Sequence, residues 1–460
     1  MKRDFVFGMI LSLLFGVAAY AGDKPNIVVI FADDLGYGDL GVFGHPTIQT
    51  PELDKMAAEG QKWTSFYTAA SVCTPSRAGL LTGRLPVRNG MCSSKRRVLF
   101  PNSSGGIPES EVLLPEALKA QGYATGAVGK WHLGHLPQYL PTNNGFDSYF
   151  GIPYSNDMDR DGKVDRDHSF REPENAYFNV PLLRGVEEIE RPADQTTITK
   201  RYTEEATKFI REHKAGPFFL YLAHSMPHVP LFASTDFVET SRRGLYGDVI
   251  QEIDWSVGQV LQTLRNEGLE KNTLVVFTSD NGPWLIFKEQ GGSAGLLRGG
   301  KGGTFEGGMR VPTVFWWPDT ITPAVVADMG STLDLFATVA GLSGATVPDD
   351  RVMDSHDLGP VLRGEGRSPR ETMFFYRGSE IFAVRQGPFK AHFQTQGEYG
   401  GSKLAQHDPP LLYNLDHDPS EQYDVAENNP EAIAAIRATL AAHNSALIRG
   451  EDQLARRIGE

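Results

Sequence analysis

The chain has 460 residues, of which 40% are hydrophobic and 22% are charged, a composition typical of an ordinary globular protein. This length suits one large domain accompanied by a smaller one rather than a single small core. The formal net charge of −13 argues against general binding to nucleic acid or to acidic membranes, so an anionic substrate would require a local basic pocket.

The beginning of the chain has the pattern of an export signal. Lys2 and Arg3 precede an apolar stretch over residues 6–17, and Ala19-Tyr20-Ala21 fits a small-x-small cleavage site, which predicts a signal peptide over residues 1–21. A membrane anchor is the weaker alternative, because the apolar stretch is shorter than about 20 residues. We therefore expect an exported protein, periplasmic or secreted, whose mature chain has no membrane span.

An acidic pair follows the first apolar segment of the mature chain. Residues 27–31 are continuously apolar, which predicts a strand buried on both faces, as in a parallel sheet. Asp33 and Asp34 come directly after it, at the carboxyl end of the strand, where α/β folds place their ligands. Two adjacent carboxylates repel each other, and a hard divalent cation would relieve that repulsion. A solvated loop that caps a helix is the alternative.

The segment that starts at Cys73 reads Cys-Thr-Pro-Ser-Arg-Ala-Gly-Leu-Leu-Thr-Gly-Arg and predicts a polar turn that opens a helix. We expect Ser71 or Thr74 to cap this helix and Pro75 to lie at its first position. The helix dipole and the neighbouring Arg77 both favour an anionic oxygen or sulfur at position 73 and an anionic substrate in front of it.

The cysteines also allow a second interpretation. Cys73 and Cys92 are the only two cysteines of the chain, and an oxidising compartment would permit a disulfide between them. Such a disulfide and a chemically modified Cys73 exclude each other.

Further strands are predicted at residues 63–70, 123–128, 218–223 and 273–278, and helices at residues 50–60, 114–121, 198–213 and 248–268. Polar residues follow three of these strands, namely Lys130 and His132, His224 and His228, and Asp280 and Asn281. Lys130 and His132 alternate at a strand end, so we expect both side chains on one side. The two histidines could be metal ligands or general acids, although zinc usually requires three or four such ligands. Parallel strands would bring all these strand ends to one edge of the sheet.

Two loops carry further charged residues. Residues 298–308 are rich in glycine and contain Lys301, and glycine allows the backbone to approach an oxyanion closely. Residues 157–165 match the first nine positions of an EF-hand-type calcium loop, but the twelfth position is His168 and not Glu. A second calcium site in this loop is therefore a minor hypothesis beside a solvated acidic loop.

The C-terminal part of the chain has a different pattern of predicted elements. Short strands at residues 371–376, 381–385, 389–395 and 411–415 predict a small antiparallel sheet, and residues 429–448 a closing helix. We therefore expect a catalytic domain over residues 22–364 and a smaller α+β domain over residues 365–460.

The run Cys-x-Pro-Ser-Arg at Cys73, followed by Leu-Thr-Gly-Arg, resembles the signature of the type I formylglycine-dependent sulfatases of the arylsulfatase A-like kind. Gly-Lys-Trp-His at residues 129–132 and Leu-Tyr-Asn-Leu at residues 412–415 resemble later elements of the same family. The resemblance implies an alkaline-phosphatase-like α/β fold with a large mixed, mostly parallel sheet flanked by helices. A smaller C-terminal domain with an antiparallel sheet and a helix would accompany it.

The resemblance also implies a modified nucleophile and a bound calcium ion. Cys73 would be oxidised to Cα-formylglycine by a maturation enzyme, and the hydrated aldehyde would attack the sulfur of a sulfate ester. The implied catalytic residues are Cys73, Arg77, Lys130, His132, His228 and Lys301. The implied calcium ligands are Asp33, Asp34, residue 73, Asp280 and Asn281. The implied substrate-binding residues are Ser155 and His224.

An exported enzyme of this kind would act on a sulfated carbohydrate. Lys95, Arg96 and Arg97 could contact additional sulfate groups, although a solvated basic loop is the alternative, and Tyr139, His168 and Arg377 are further candidate sugar contacts. A phosphate-ester hydrolase of the same fold is one alternative, and it would use Thr or Ser as nucleophile with more His and Asp metal ligands. A non-catalytic relative that binds sulfated glycans is another alternative, and it would retain an intact Cys73.

Overall fold

The computed structural model describes residues 24–399 and 402–460. The predicted signal peptide over residues 1–21 lies outside these residues. Among the helices of the described ranges, none combines the length and the apolar composition needed to cross a bilayer.

A large mixed sheet forms the centre of the fold. Its strands are β1 (Asn26–Ala32), β2 (Gln61–Tyr67), β3 (Ala124–Gly129), β4 (Ser148–Gly151), β5 (Leu182–Arg184), β6 (Glu187–Glu190), β7 (Phe218–Ala223), β8 (Thr273–Ser279), β9 (Thr313–Trp316) and β10 (Ala324–Ser331). Their order across the sheet is β10-β2-β9-β8-β1-β7-β3-β4-β5-β6. Strands β8, β1, β7 and β3 are adjacent and parallel, so their carboxyl ends share one edge, whereas β9 runs antiparallel to both of its neighbours.

The central strand β1 is buried on both faces, as its continuous apolar run predicts. Val28 and Ile30 pack into the hydrophobic core on one side of the sheet, and Ile27 and Val29 pack into the core on the other side. Successive side chains of a strand point to opposite faces, so this one run contributes to both cores. The sheet is thereby covered on both sides, as the doubly wound architecture requires.

Helices cover the two faces of this sheet. They are α1 (Pro51–Glu59), α2 (Cys73–Thr82), α3 (Pro86–Asn89), α4 (Leu114–Lys119), α5 (Arg166–Arg171), α6 (Ile198–Glu212), α7 (Leu245–Asn266), α8 (Glu306–Met309), α9 (Asp334–Ser343) and α10 (Gly359–Leu362). The apolar sides of α6 and α7 belong to one core, and those of α2, α4 and α9 belong to the other.

A smaller antiparallel sheet follows in the C-terminal part of the chain, as predicted. It consists, in spatial order, of β11 (Thr372–Arg377), β12 (Glu380–Gln386), β13 (Phe389–Thr395) and β14 (Ala405–Asn414). Helix α11 (Pro430–Ala446) covers one face through contacts such as those of Ile436 with Val384 and its neighbours. The other face packs against the large domain, where Met373 joins Tyr67 and Met309 in one cluster.

The start of α2 differs from the prediction. The residue before the helix is Val72, which is extended and makes no side-chain cap. The hydroxyl of Thr74 instead donates to the His132 carbonyl at 3.0 Å, and the Ser71 carbonyl accepts from Gly302 N at 2.8 Å. The predicted side-chain cap was wrong, because Val72 occupies the cap position and the Thr74 hydroxyl, inside the helix, bonds to the segment after β3.

Candidate active site

Polar side chains from four adjacent strand ends meet around Cys73, the first residue of α2. They are Asp33 and Asp34 after β1, Lys130 and His132 after β3, His228 after β7, and Asp280 and Asn281 after β8. Arg77 joins them from α2, Ser155 from the loop after β4, and Lys301 from the loop before α8. All of these side chains are buried.

Asp33 lies between two cationic side chains. Its carboxylate accepts a hydrogen bond from Lys130 Nζ and lies 3.7 Å from Arg77 Nη2. Burial alone would raise the pKa of Asp33, but the charges of Lys130, His228 and Arg77 hold it well below its usual range. The Asp33 side chain is therefore an ionised carboxylate at neutral pH.

Asp34 is held by Lys301 and Asn281. Lys301 Nζ lies 2.8 Å from both carboxylate oxygens, and Asn281 Nδ2 donates to Oδ1 at 2.7 Å. Burial raises the pKa of Asp34 to about 6, although Lys301 opposes that change. The Oδ1 atom of Asn281 is buried and has no hydrogen-bond donor within the described chain.

Arg77 fixes Asp280 at the next strand end. Its Nε and Nη2 atoms donate to Asp280 Oδ2 at 3.1 and 2.9 Å, and its Nη1 donates to the Lys130 carbonyl at 2.8 Å. This bidentate contact orients the carboxylate. Burial and the neighbouring Asp33 raise the pKa of Asp280 to about 7.

Cys73 is a thiol with no disulfide in this structure, and so is Cys92. Cys73 Sγ donates to Asp33 Oδ1 at 3.4 Å. Burial, and then the negative charge of Asp33, raise the pKa of the Cys73 thiol well above its usual value. The expectation of an anionic sulfur at this helix N-terminus was therefore wrong for the unmodified cysteine, because desolvation outweighs the dipole.

One ring nitrogen of His132 has a hydrogen-bond partner, and the other has none among the described residues. Nε2 lies 3.0 Å from the Leu99 carbonyl, an acceptor, so Nε2 carries the proton in the neutral ring. Nδ1 is buried and has no partner among the residues described, which leaves its lone pair available. Burial and the charge of Lys130 lower the pKa of His132 well below its usual value, so the ring is neutral.

Strand alternation does not explain the positions of Lys130 and His132, because neither residue belongs to a strand. Strand β3 ends at Gly129, and His132 has a left-handed backbone with φ of 61°. Asp34 has a similar backbone, with φ of 64°. Such conformations are uncommon for residues other than glycine and are concentrated at functional sites.

His228 and Ser155 contact each other and also contact Asp34 and Lys130, respectively. His228 Nδ1 lies 2.5 Å from the Val229 carbonyl, so the proton of the neutral ring is on Nδ1. Its Nε2 faces Ser155 Oγ at 3.4 Å and Asp34 Oδ2 at 3.6 Å. Ser155 Oγ in turn accepts from Lys130 Nζ at 3.1 Å. Burial and the charge of Lys301 lower the pKa of His228 well below its usual value.

The loop that carries Lys301 is fixed from two sides. Lys301 N donates to the Pro283 carbonyl at 2.9 Å, next to the β8 strand end. At the far end of the loop, the buried carboxylate of Glu306 accepts from Tyr67 OH at 2.5 Å and from Lys390 Nζ of β13 at 2.9 Å. The smaller sheet therefore contributes directly to the position of this loop.

The oxygen donors of the site fit a hard divalent cation. Ligand atoms of Asp33, Asp34, Cys73 and His228 lie within 4.8 Å of one another. The oxygens of Asp33, Asp34 and Asn281 are the ligand type that calcium prefers, and Asn281 Oδ1 still lacks a partner in the described residues. In this structure the ammonium groups of Lys130 and Lys301 lie against the two carboxylates.

Two predicted features do not join this cluster. The ring of His224 is fully buried, and its Nε2 lies 3.2 Å from Ser256 of α7, so the structure gives no support to a substrate contact. The carboxylates of the 157–168 loop are used separately. For example, Asp159 accepts from Tyr154 OH, and Asp165 caps α5 through His168 N at 3.0 Å.

The remaining candidate sugar contacts lie apart from one another. Tyr139 packs against Gly106 and Gly134, and His168 is exposed on α5. Arg377 lines a cavity together with Arg97. Sequence reasoning missed Trp284, whose ring lies 5.2 Å from the His228 ring and 4.2 Å from Lys301 Nζ. The only feature of the sequence that could have indicated Trp284 was its position three residues after Asn281.

The chain matches the family model described as Sulfatase over residues 25–345 and the one described as C-terminal region of aryl-sulfatase over residues 368–458. It is 43% identical to arylsulfatase A of Homo sapiens, and the match covers 93% of this chain and 89% of that protein. It is 41% identical to N-acetylgalactosamine-6-sulfatase of Mus musculus, with coverage of 97% and 91%.

The structure is also similar to the crystal structure of PsFucS1 sulfatase from Pseudoalteromonas sp. The TM-score is 0.81 at 28% identity, and the match covers 92% of this chain and 90% of that one. This likeness confirms the predicted alkaline-phosphatase-like α/β fold.

Proposed function

The chain belongs to the sulfatase family and is a sulfuric ester hydrolase, and we propose that it acts on a sulfated carbohydrate through a formylglycine formed from Cys73. The observation that carries this proposal is the convergence of three carboxylates, three cationic side chains and two histidines around Cys73. The relative named N-acetylgalactosamine-6-sulfatase supports a sugar substrate.

The chemistry of sulfate release explains why a formylglycine, and not a thiol, would act at residue 73. The thiol is a poor nucleophile here, because burial raises its pKa. An aldehyde at this position hydrates to a geminal diol, which offers one hydroxyl to attack sulfur and a second whose ionisation expels sulfate. A serine or cysteine ester has no second hydroxyl for that step.

A bound calcium ion would make the net charge of the site positive. We propose Asp33, Asp34, Asp280, Asn281 and an oxygen of modified residue 73 as its ligands. Bound there, calcium would supply positive charge beside the sulfate group. Three carboxylates face Arg77, Lys130 and Lys301, so these charges balance, and a divalent ion would make the site complementary to an anionic ester.

Two residues are proposed to move protons at position 73. Asp280, with its pKa near 7, accepts the proton of the attacking hydroxyl, and Arg77 keeps its carboxylate oriented. His132 accepts the proton of the second hydroxyl at Nδ1, since its Nε2 is committed to the Leu99 carbonyl.

The sulfate group and its leaving alcohol are proposed to lie between two lysines. Lys130 and Ser155 donate hydrogen bonds to the sulfuryl oxygens, and they already contact each other at 3.1 Å. Lys301 stabilises charge on the leaving oxygen. His228 is neutral in this structure, so its Nε2 takes up a proton from solvent and then gives that proton to the leaving alcohol.

The remaining proposals concern the whole chain. Residues 22–364 would form the catalytic domain and residues 365–460 the smaller domain, and the separate family matches over residues 25–345 and 368–458 support this division. The sequence of residues 1–21 supports export to the periplasm or the medium. A formylglycine-generating enzyme would be the partner that matures Cys73.

Peptide mass spectrometry of the active protein tests the modification. We expect the peptide containing residue 73 to carry an aldehyde and Cys92 to remain a thiol. Cys73→Ala should release no sulfate while its circular dichroism and thermal unfolding are unchanged. Cys92→Ala, at the other buried cysteine, is the matched control and should retain turnover.

The same measurements separate the alternatives. An intact thiol at residue 73 in protein that binds sulfated glycans without turnover would identify a non-catalytic relative. An intact thiol in fully active protein would overturn the proposed nucleophile. Parallel assays with sulfate and phosphate esters should give efficient turnover of the sulfate esters only.

A further inference from the structure

A row of aromatic rings leads away from the proposed reacting centre. The Trp284 ring lies 5.2 Å from the His228 ring and equally 5.2 Å from the Tyr399 ring. Trp284 Nε1 is buried and finds no acceptor within residues 24–399 and 402–460. Adjacent aromatic rings, together with an indole N–H that has no acceptor, form the kind of surface on which sugar rings bind.

Arg97 lies at the far end of this row. Its guanidinium carbon is 3.8 Å from the centre of the Tyr399 ring, an arrangement that fixes the plane of the group. Its Nη1 atom is buried and has no hydrogen-bond acceptor in the described part of the chain. A buried N–H of a charged group without an acceptor is unfavourable, so the site favours an incoming anion.

Gly302 joins this position to Lys301. A β-carbon at Gly302 would lie 2.8 Å from Arg97 Nη1 and 2.8 Å from the Tyr399 ring. Only a residue without a side chain can lie there, so the backbone next to Lys301 contacts the guanidinium closely. Arg97 is therefore adjacent to the residue that we place beside the leaving oxygen.

Arg377 provides a second cation at the same place. Its Nη1 donates to the carbonyls of Gln396 and Gly397 at 3.2 and 2.7 Å, which orients the group. Burial, followed by the charge of Arg97, lowers the pKa of Arg377, although it remains a cation. Arg377 makes its side-chain hydrogen bonds to backbone carbonyls, although the nearby carboxylate of Glu398 also stabilises its charge.

A small cavity separates these cations from the start of α2. Arg97, Arg377 and Gly302 line it together with Val72 and Pro75. Its volume of about 40 Å³ suits a few water molecules or one small oxyanion group. Its apolar walls would strengthen the attraction of an anion to the two guanidinium groups.

We infer that Arg97 and Arg377 form a second anion subsite, which binds an oxyanion on the sugar next to the sulfate that is hydrolysed. The inference rests on the proposed function and narrows its substrate class to sulfated oligosaccharides with a second negative charge. That charge is a uronic acid carboxylate or a second sulfate, because both offer oxygen acceptors to a guanidinium.

Kinetics with matched substrates test this subsite in the mature full-length enzyme. The substrates are 4-nitrophenyl sulfate and three sulfated disaccharides, whose neighbouring sugar is neutral, a uronic acid or itself sulfated. We expect the wild type to prefer a disaccharide with a second anion. Arg97→Gln should reduce that preference about ten- to hundredfold, mainly through KM. Arg242→Gln removes the same charge at an exposed arginine that does not line the cavity and should leave the preference unchanged.

Direct binding gives a readout that does not need turnover. In Cys73→Ala protein, calorimetry should show that adding Arg97→Gln weakens binding of the doubly charged disaccharide about ten- to hundredfold. Arg97→Lys, which keeps the charge without the planar fork, should weaken it less. The uronic acid and the second sulfate are distinguished by which disaccharide loses more affinity.

Failure of this inference differs from failure of the proposed function. Sulfate release from 4-nitrophenyl sulfate by the wild type tests the proposed function alone, because that substrate has no second anion. The subsite is overturned if the wild type shows no preference for a second charge. It is also overturned if Arg97→Gln affects neutral and charged disaccharides equally in the kinetic and binding measurements.

Discussion

Lys390 Nζ lies 2.9 Å from the carboxylate of Glu306, and both side chains are fully buried between the two sheets. The same ammonium group lies 3.0 Å from Glu421. Burial would raise the pKa of Glu306, but Lys390 and the neighbouring arginines lower it to about 2. Glu306 begins α8, directly after the loop that carries Lys301, so this ion pair joins the smaller sheet to the active site.

Replacing Lys390 by Met should therefore reduce both stability and activity. The change leaves Glu306 as a buried carboxylate without its main cation, which typically destabilises a protein by about 3–5 kcal/mol. Urea unfolding would measure this loss, and sulfatase assays should show a lower kcat/KM. Lys271→Met removes an exposed ion pair with Asp319 at 2.7 Å, which solvent screens, and should leave stability nearly unchanged. Equal effects of the two substitutions would contradict this account.

Removal of calcium should abolish activity. Treatment with a calcium chelator is expected to stop sulfate release and lower the melting temperature, because a ligand that binds only the folded state stabilises it. Asn281→Leu should weaken calcium binding measured by calorimetry, since it removes the unpartnered Oδ1. Asp161→Asn, at an exposed position of the 157–168 loop, is the control and should leave calcium stoichiometry and affinity unchanged.

His132→Gln should lower kcat much more than it changes KM. Glutamine cannot accept the proton that we assign to Nδ1, and loss of a general base typically reduces the rate about 10²- to 10⁴-fold. Steady-state kinetics with an aryl sulfate would measure the effect. His135→Gln, at a histidine that packs on Tyr154, should leave kcat unchanged. A large rise in KM with constant kcat would assign His132 to binding instead.

Asp39 should make stability depend on pH. Its Oδ2 accepts from Tyr246 OH at 2.6 Å and Gly36 N at 2.8 Å, and burial raises its pKa to about 7. The folded state thus binds a proton that the unfolded state releases at a lower pH. The contribution of the protonated group is complete below about pH 4 and is lost as the pH rises towards 7.

Asp39→Asn should remove this dependence, because an amide keeps the acceptor and does not titrate. The difference between the unfolding free energies of wild type and variant should change by up to a few kcal/mol between pH 4 and 7, with wild type losing stability as pH rises. Asp349→Asn, at an exposed aspartate, should give parallel curves. Parallel curves for Asp39→Asn would show that its carboxyl group is ionised in the fold.

The sequence predicted the central strands well because their signal is local. Strand β7 covers Phe218–Ala223, as its apolar run indicates, and the parallel sheet brings Asp33, Lys130 and Asp280 to one edge. The roles of these side chains remain predictions. Antiparallel β9 was not predicted, since its place between β2 and β8 depends on residues far apart in the chain.

Side-chain partners from distant segments explain the other differences. Thr74 was expected to cap α2, but its hydroxyl reaches the His132 carbonyl, which no local pattern reveals. His224 follows a strand end as His228 does, yet its Nε2 atom is hydrogen-bonded to Ser256 of α7. Trp284 and Tyr399 are far apart in the chain, and their contact depends on the tertiary fold.

The burial of Cys73 also determines when it can be converted. In the folded protein only 1% of this residue is exposed, at the bottom of a closely packed cluster. Another enzyme could not enclose that thiol without unpacking α2 and the loops around it. If another enzyme carries out the proposed oxidation, that step would therefore have to precede the folding of this region, and molecules that fold first would keep an unmodified thiol.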